Sequence, residues 1–235
     1  DGCGGPGSKE YASLSTHEEL AALLLNNDNN EVYELIREGR PCKLYLDIEW
    51  ESSMAKDQAH NMLTNVVHKL NCILQDTYNI TTTIMVFDGS RPKGSGAVKY
   101  SFHIVAPNVV FASNYGMMKS VIQAFVDKNK DDPLFVCGLD GKGKPKLIID
   151  TGVYTKNRCF RTPLSHKKDD ITETKLEHIV KIETTDASSG QIYTVWKEKP
   201  ITSSAELLDG FVTHITKELD IIPDQQTHQS TAAPT

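Results

Sequence analysis

Cysteine is scarce in this chain and follows no ligand pattern. The five residues, Cys3, Cys42, Cys72, Cys137 and Cys159, form no C-x-x-C pair. Their spacing excludes a zinc ribbon, argues against a disulfide framework and points to a reducing compartment. Long apolar runs are missing as well: nothing approaches the roughly 18 consecutive apolar residues of a membrane-spanning helix, so no membrane partner is expected. The first residues hold neither an initiator Met nor an apolar targeting stretch. The chain therefore reads as a soluble intracellular protein, an excised fragment in which Gly5-Pro6-Gly7-Ser8 is a cloning remnant. The glycine-containing segment from Gly89 to Gly96 lacks the G-x-x-x-x-G-K-[ST] order of a phosphate loop, and no Rossmann fingerprint follows a strand.

The charge that is present is unevenly placed. A formal charge of −6 would oppose nucleic-acid binding if it were uniform. Residues 1–60 carry 12 acids and 5 bases, residues 61–168 carry 7 acids and 15 bases, and residues 169–235 carry 12 acids and 5 bases. From Lys142 to Lys168, eight bases face the single acid Asp150. A local basic stretch is what a polyphosphate or a nucleic-acid strand requires, whereas whole-chain charge governs solubility. A solvated lysine-rich loop has the same composition.

With 39% apolar residues, one large domain or two small lobes can bury a core. Ser15 and Thr16, followed by Glu18 and Glu19, offer two overlapping capping boxes ahead of Leu20, Leu23 and Leu24, so a helix begins there. A second, short helix is expected from Glu31 to Gly39. Met62, Leu63, Val66, Val67, Leu70, Ile73 and Leu74 recur at helical spacing across residues 55–76, and Met117 to Val126 repeats the pattern. Residues 82–87 and 99–105 read as strands, 134–137 and 147–149 as short β runs, and 177–182 with 191–196 as an antiparallel pair. Ser203 and Glu206 cap a last helix through Ile215. Strands and helices mix without a regular βαβ repeat, which predicts an α+β fold with a mainly antiparallel sheet.

In Leu44-Tyr45-Leu46-Asp47-Ile48-Glu49-Trp50, side-chain alternation puts Asp47 and Glu49 on one strand face. Two carboxylates there repel unless solvated or neutralised, and a divalent cation neutralises such oxygen ligands economically. Asp150 ends the apolar run 147–149; a third carboxylate suits Mg²⁺ or Mn²⁺, which complete their coordination with substrate. Alone, a D-x-E pair carries little weight, because acids commonly line solvated strand faces. A second segment adds to it. Lys99, Ser101 and His103 share one face of their strand and offer cation, hydroxyl and imidazole donors in a row, suited to a triphosphate. Beyond Asp150 come Arg158 and Arg161, forked donors for phosphate oxygens, and the point charge of Lys167.

Taken together, Cys42-Lys43-Leu44-Tyr45-Leu46-Asp47-Ile48-Glu49-Trp50, Ser101-Phe102-His103 and the string from Ile149 to Arg161 resemble motifs I, II and III of the archaeo-eukaryotic primase superfamily. The likeness is closest to its primase-polymerase (PrimPol) branch, which includes herpesvirus-type and large-DNA-virus primases. It spans about residues 31–168, and G-V-Y-T-K-N-R-C-F-R at 152–161 is its most specific part. The resemblance implies an RRM-like catalytic sheet with flanking helices, a small N-terminal helical lobe over residues 9–40 and a catalytic core over 41–222; flexible ends at 1–8 and 223–235 are expected from their small and polar composition. DNA would lie in the cleft between lobe and core. It further implies Asp47, Glu49 and Asp150 as ligands of two Mg²⁺ or Mn²⁺ ions. Lys99, Ser101, His103, Arg161 and Lys167 would contact the phosphates of the incoming nucleotide, with Arg158 beside them, and Tyr33 would lie near its sugar. The zinc-binding region that assists strand initiation in such proteins has no counterpart here, so the chain is expected to be a catalytic core alone.

The leading expectation is a template-directed DNA primase-polymerase core that adds nucleotides from (d)NTPs to a 3′-hydroxyl and releases pyrophosphate. It would act on DNA template and primer, alongside a helicase or single-strand-binding protein, in the nucleus or mitochondria of a cell or at the replication site of a virus. The alternative is a catalytically inactive nucleic-acid-binding docking module of a replication complex, because a basic stretch binds phosphates regardless of chemistry. A metal-dependent nuclease would need the same carboxylates but has little use for a row of triphosphate donors.

Overall fold

The computed structural model of the chain describes residues 10–94, 96–139, 143–167, 175–185 and 192–223. Gly5-Pro6-Gly7-Ser8, Lys142, Lys168 and the tail from residue 224 lie outside them. The elements are α1 (His17–Asn26), β1 (Tyr33–Ile36), β2 (Cys42–Ser52), α2 (Lys56–Tyr78), β3 (Met85–Asp88), β4 (Arg91–Pro92) and β5 (Val98–Phe111). They continue with α3 (Lys119–Asn129), β6 (Val136–Leu139), β7 (Pro145–Leu147), β8 (Arg158–Arg161), β9 (Glu177–Thr185), β10 (Ile192–Glu198), α4 (Ser204–Gly210) and β11 (Ile221–Ile222).

The long strand β5 organises the sheet. It pairs antiparallel with β2, β3 and β4, and β9 and β10 extend the sheet beyond β3. β11 adds a short parallel pairing at the end of β5. Against β2, residue Ile149 makes an antiparallel bridge with Ile48. With the short strands β4, β6 and β7 set aside, the order from β2 to Asp150 is strand β2, helix α2, strands β3 and β5, helix α3 and the edge segment at Ile149, which is the βαββαβ arrangement of an RRM-type sheet. The α+β, mainly antiparallel expectation holds.

Period-two alternation divides the sheet into two faces. Leu46, Ile48 and Trp50 of β2 and Tyr100, Phe102 and Ile104 of β5 are all buried, and α2 covers them with Ala59, Met62, Leu63, Val66, Leu70 and Leu74. Trp196 Nε1 on β10 donates to Thr64 Oγ1 on α2 at 2.9 Å, which ties the far edge of the sheet to the same helix. Each such apolar side chain contributes roughly 1.5–3 kcal/mol by leaving water. The opposite face carries Asp47 and Glu49.

Helix ends follow their local chemistry. Of the two capping boxes, the Thr16 one forms in its first half: the Thr16 hydroxyl accepts from Glu19 N–H, while the Glu19 carboxylate accepts from Ser15 N–H at 2.9 Å rather than from the N-cap N–H. The helix expected from Glu31 to Gly39 is instead β1, paired antiparallel with β8 from Tyr33↔Arg161 to Ile36↔Arg158. Gly39, at φ +66, serves the turn after that strand. Among the described residues, 10–40 contribute one helix and one strand. The last helix stops at Gly210 rather than running to Ile215. A Cβ on Gly210 would lie 2.7 Å from Phe87 Cζ and 3.0 Å from Pro163 Cγ, so the helix end packs tightly against the sheet, and extended Phe211 redirects the chain. β3 begins at Met85, later than expected, and the glycine-containing loop holds the two-residue strand β4.

Candidate functional site

The register between β2 and β5 assembles the site. Asp47 stands opposite His103, Glu49 opposite Ser101 and Glu51 opposite Lys99, and directly opposed residues share a face. The acids of one strand and the donors of the other therefore interleave. On the other edge of β2, Glu49 N–H donates to Ile148 O at 2.7 Å and Asp150 N–H donates to Asp47 O at 2.9 Å. Asp150 is thereby held beside Asp47, although the two lie far apart in the chain.

Electrostatics at this face are strained toward neutrality. The pKa of Asp47 is pushed up to about 7, first by burial and then by the charges of Glu49 and Asp150, against the pull of Arg161 and Arg158. Asp47 Oδ1 is buried and has no hydrogen-bond partner; His103 Nε2 is 3.8 Å from it, beyond bonding distance. His103 is held down to about 3 by burial and by the cations Arg161 and Arg158, so its imidazole is neutral. Its ring stacks on Phe160 with centroids 4.3 Å apart. Lys99 Nζ lies 2.8 Å from Glu49 Oε2, and Asp150 Oδ1 accepts from Gly152 N–H at 2.8 Å. The three carboxylates are neighbours, yet among the described residues no three His, Cys, Asp or Glu side chains form a ready metal cage.

A second set of residues, not singled out from the sequence, fixes this geometry. Tyr154 O–H donates to Tyr45 O at 2.7 Å, and Tyr45 O–H donates to Val153 O at 3.0 Å, so the 152–161 string is stapled over β2. Asn114 Nδ2 donates to Tyr45 Oη and to Thr155 O. Phe160 packs on the Tyr45 ring at 4.6 Å as well as on His103. The available signal was the apolar content of Tyr154 and Phe160 inside a basic run, which marks a buried face within a charged segment.

Of the remaining candidates, Tyr33, Arg158 and Arg161 sit on the β1–β8 ribbon, and Lys167 lies past the end of β8. Tyr33 and Arg161 are opposite each other and share a side with Leu35 and Cys159; Glu34, Ile36, Arg158 and Phe160 share the other. Arg161 is buried, and its Nη2 would lie 3.3 Å from a Cβ placed on Gly89. Arg158 Nε is buried without a hydrogen-bond partner. Tyr33, Arg158 and Lys167 also line a cavity of about 1440 Å³ between the ribbon, α1 and residues 10–16. Lys99, Ser101 and His103 do not line that cavity. The expected nucleotide contacts thus fall into two groups, joined through Arg158 and Arg161, whose charges reach both Asp47 and His103.

Sequence comparison agrees with this architecture. Residues 15–180 match the C962R protein N-terminal AEP domain, and the chain belongs to this family of archaeo-eukaryotic primase domains. It is 28% identical over 177 residues to an uncharacterized protein, ORF49, of Ostreid herpesvirus 1 (isolate France), covering 70% of this chain and 16% of that protein. It is 27% identical over 167 residues to the DNA-directed primase/polymerase protein of Danio rerio, covering 57% of this chain and 32% of that protein. The chain spans less than a third of either relative's length. Among the described residues no helix is long and apolar enough to cross a membrane.

Proposed function

We propose that this chain is the catalytic core of a template-directed DNA primase-polymerase, which transfers nucleotides from (d)NTPs to a 3′-hydroxyl and releases pyrophosphate. The observation that supports this most is the β2–β5 register, which interleaves Asp47 and Glu49 with Lys99, Ser101 and His103 while Asp150 lies beside Asp47. The residues fit a divalent cation in chemistry. Their donors are hard carboxylate oxygens, and Asp47 Oδ1 is a buried oxygen lacking a hydrogen bond. Two Mg²⁺ or Mn²⁺ ions held by Asp47, Glu49 and Asp150 would supply activation of the 3′-hydroxyl and stabilisation of the leaving pyrophosphate.

The chain's own residues do the positioning. Neutral His103, fixed by its stack on Phe160, orients a phosphate by hydrogen bonding rather than by charge, beside the Ser101 hydroxyl. Lys99, Arg158 and Arg161 supply the positive charge for the triphosphate. Tyr33, on the cavity wall, lies near the sugar, and Lys167, on the same wall, contacts the phosphates. DNA template and primer, a (d)NTP and a helicase or single-strand-binding protein are its partners at a replication site. The test is extension of a primed template by the purified chain with Mg²⁺ or Mn²⁺. Activity should vanish in Asp47→Ala and His103→Ala, and extension at the parental rate in both would show that the roles are misassigned.

The Glu49–Lys99 pairing and the lack of a ready cage among the described residues favour a second reading, an inactive docking module. A polymerase core should be stabilised by Mn²⁺ plus a nucleoside triphosphate, by about 2.7 kcal/mol at a hundredfold excess over Kd. No thermal shift with either ligand would select the module.

A further inference from the structure

At the candidate site the expected metal ligand and the expected phosphate contact are engaged with each other. Lys99 and Glu49 form an ion pair of 2.8 Å, with side chains 18% and 44% exposed. By register the two are diagonal neighbours, since Glu49 opposes Ser101 and Lys99 opposes Glu51. On the other edge of β5, Arg91 of β4 stands directly opposite Lys99 and is buried. Two cations opposed across strands destabilise a sheet unless negative charge lies close by; on the β2 side Glu51 opposes Lys99, and Glu49 is the acid that Lys99 contacts. Glu49 in turn sits in an acidic neighbourhood, for its charge and that of Asp150 both raise Asp47. Each member of the pair therefore relieves a repulsion on its own side.

We propose that the Glu49–Lys99 pair is an exchangeable latch that makes binding of a divalent cation and binding of a polyphosphate mutually dependent. This rests on the reading of Asp47, Glu49 and Asp150 as metal ligands. A cation arriving alone must draw Glu49 from Lys99, which breaks the 2.8 Å ion pair and leaves the Lys99 ammonium seeking another anion. A polyphosphate arriving alone must draw Lys99 away, which leaves Glu49 beside Asp47 and Asp150. Arriving together, each neutralises the charge that the other uncovers. By linkage, either ligand then raises affinity for the other by the same factor, so the site selects the metal–triphosphate complex over its parts.

The test uses the whole chain without DNA and two separate probes: Mn²⁺ alone, followed by electron paramagnetic resonance, and inorganic tripolyphosphate in EDTA, followed by calorimetry. A partly exposed pair is worth up to about 1 kcal/mol, or roughly fivefold in affinity. Lys99→Met, and Lys99→Gln as a second variant, should bind Mn²⁺ about fivefold tighter than the parent. Glu49→Gln should bind metal-free tripolyphosphate tighter by a similar factor. Glu206→Gln, which removes the partner of Lys199 at 2.9 Å on α4, should change neither. A pair that only joins the strands would lower melting temperature in these variants and tighten neither ligand, which would overturn the latch. Mn²⁺ binding that both Lys99 variants leave unchanged removes the latch alone. No Mn²⁺ binding by parent or variants would overturn the metal-ligand reading and the latch with it.

Discussion

Replacing Glu34 tests how the β1–β8 ribbon is held over the site. Glu34 is buried on β1, and its carboxylate accepts from Val212 N–H at 2.9 Å, Thr213 N–H at 2.8 Å and the Thr213 hydroxyl at 2.6 Å. The Thr213 hydroxyl also lies 3.0 Å from His17 Nε2, which joins α1 to the same knot. Burial raises the Glu34 pKa, while these hydrogen bonds and the charge of Lys43 pull it back. In Glu34→Ala the buried Val212 N–H and the half-buried Thr213 N–H lose their acceptor, at about 1–3 kcal/mol each. Relief of the carboxylate's desolvation offsets part of this, leaving a net loss of about 3 kcal/mol. For a chain of this size roughly 2–4 °C accompanies each kcal/mol, so the melting temperature should fall by about 6–12 °C. Glu34→Gln keeps one carbonyl acceptor and should lose about half as much. Scanning calorimetry at neutral pH is the assay, and a Glu34→Ala melting temperature within about 2 °C of the parent would refute the reasoning.

Two further outcomes follow from packing and titration. Gly210→Ala places a methyl 2.7 Å from Phe87 Cζ, so it should lower stability by about 1–3 kcal/mol although Ala is the better helix former; an unchanged urea midpoint would show that the helix end shifts freely. His178 is held below its usual 6.5 by burial first and then by Lys199, and its ring packs on Phe87 at 5.5 Å. Its folded pKa lies below the unfolded value. The stability it contributes is therefore complete above pH 6.5 and is lost as pH falls from there through the folded value. His178→Gln should shrink the difference between denaturant midpoints at pH 7.5 and pH 5, and an unaltered difference would assign the acid limb to other groups.

The two strands of the candidate site were legible because alternation survives wherever one face of a strand is buried. Asp47 with Glu49, and Lys99 with Ser101 and His103, could be assigned to faces from period alone. The α2 stripe was equally clear, since Met62 to Leu74 covers several turns. β1 was not. Tyr33 to Ile36 is too short to separate a strand from one helical turn, and the partner that makes it a strand, Arg158 to Arg161, lies far along the chain. The early end of α4 was hidden for a similar reason: Phe87 and Pro163, which crowd Gly210, are sequence-distant from it.

By itself the sequence determined the fold class, the faces on which the acids and donors lie, and the family, because these depend on local periodicity and on a long specific string. Only the tertiary structure decided which charge meets which. It placed Asp150 beside Asp47, turned Glu49 toward Lys99, and buried a neutral His103 under Phe160. Those relations arise from strand register and from contacts between distant segments, and the periodicity of a single strand leaves its pairing partners unspecified.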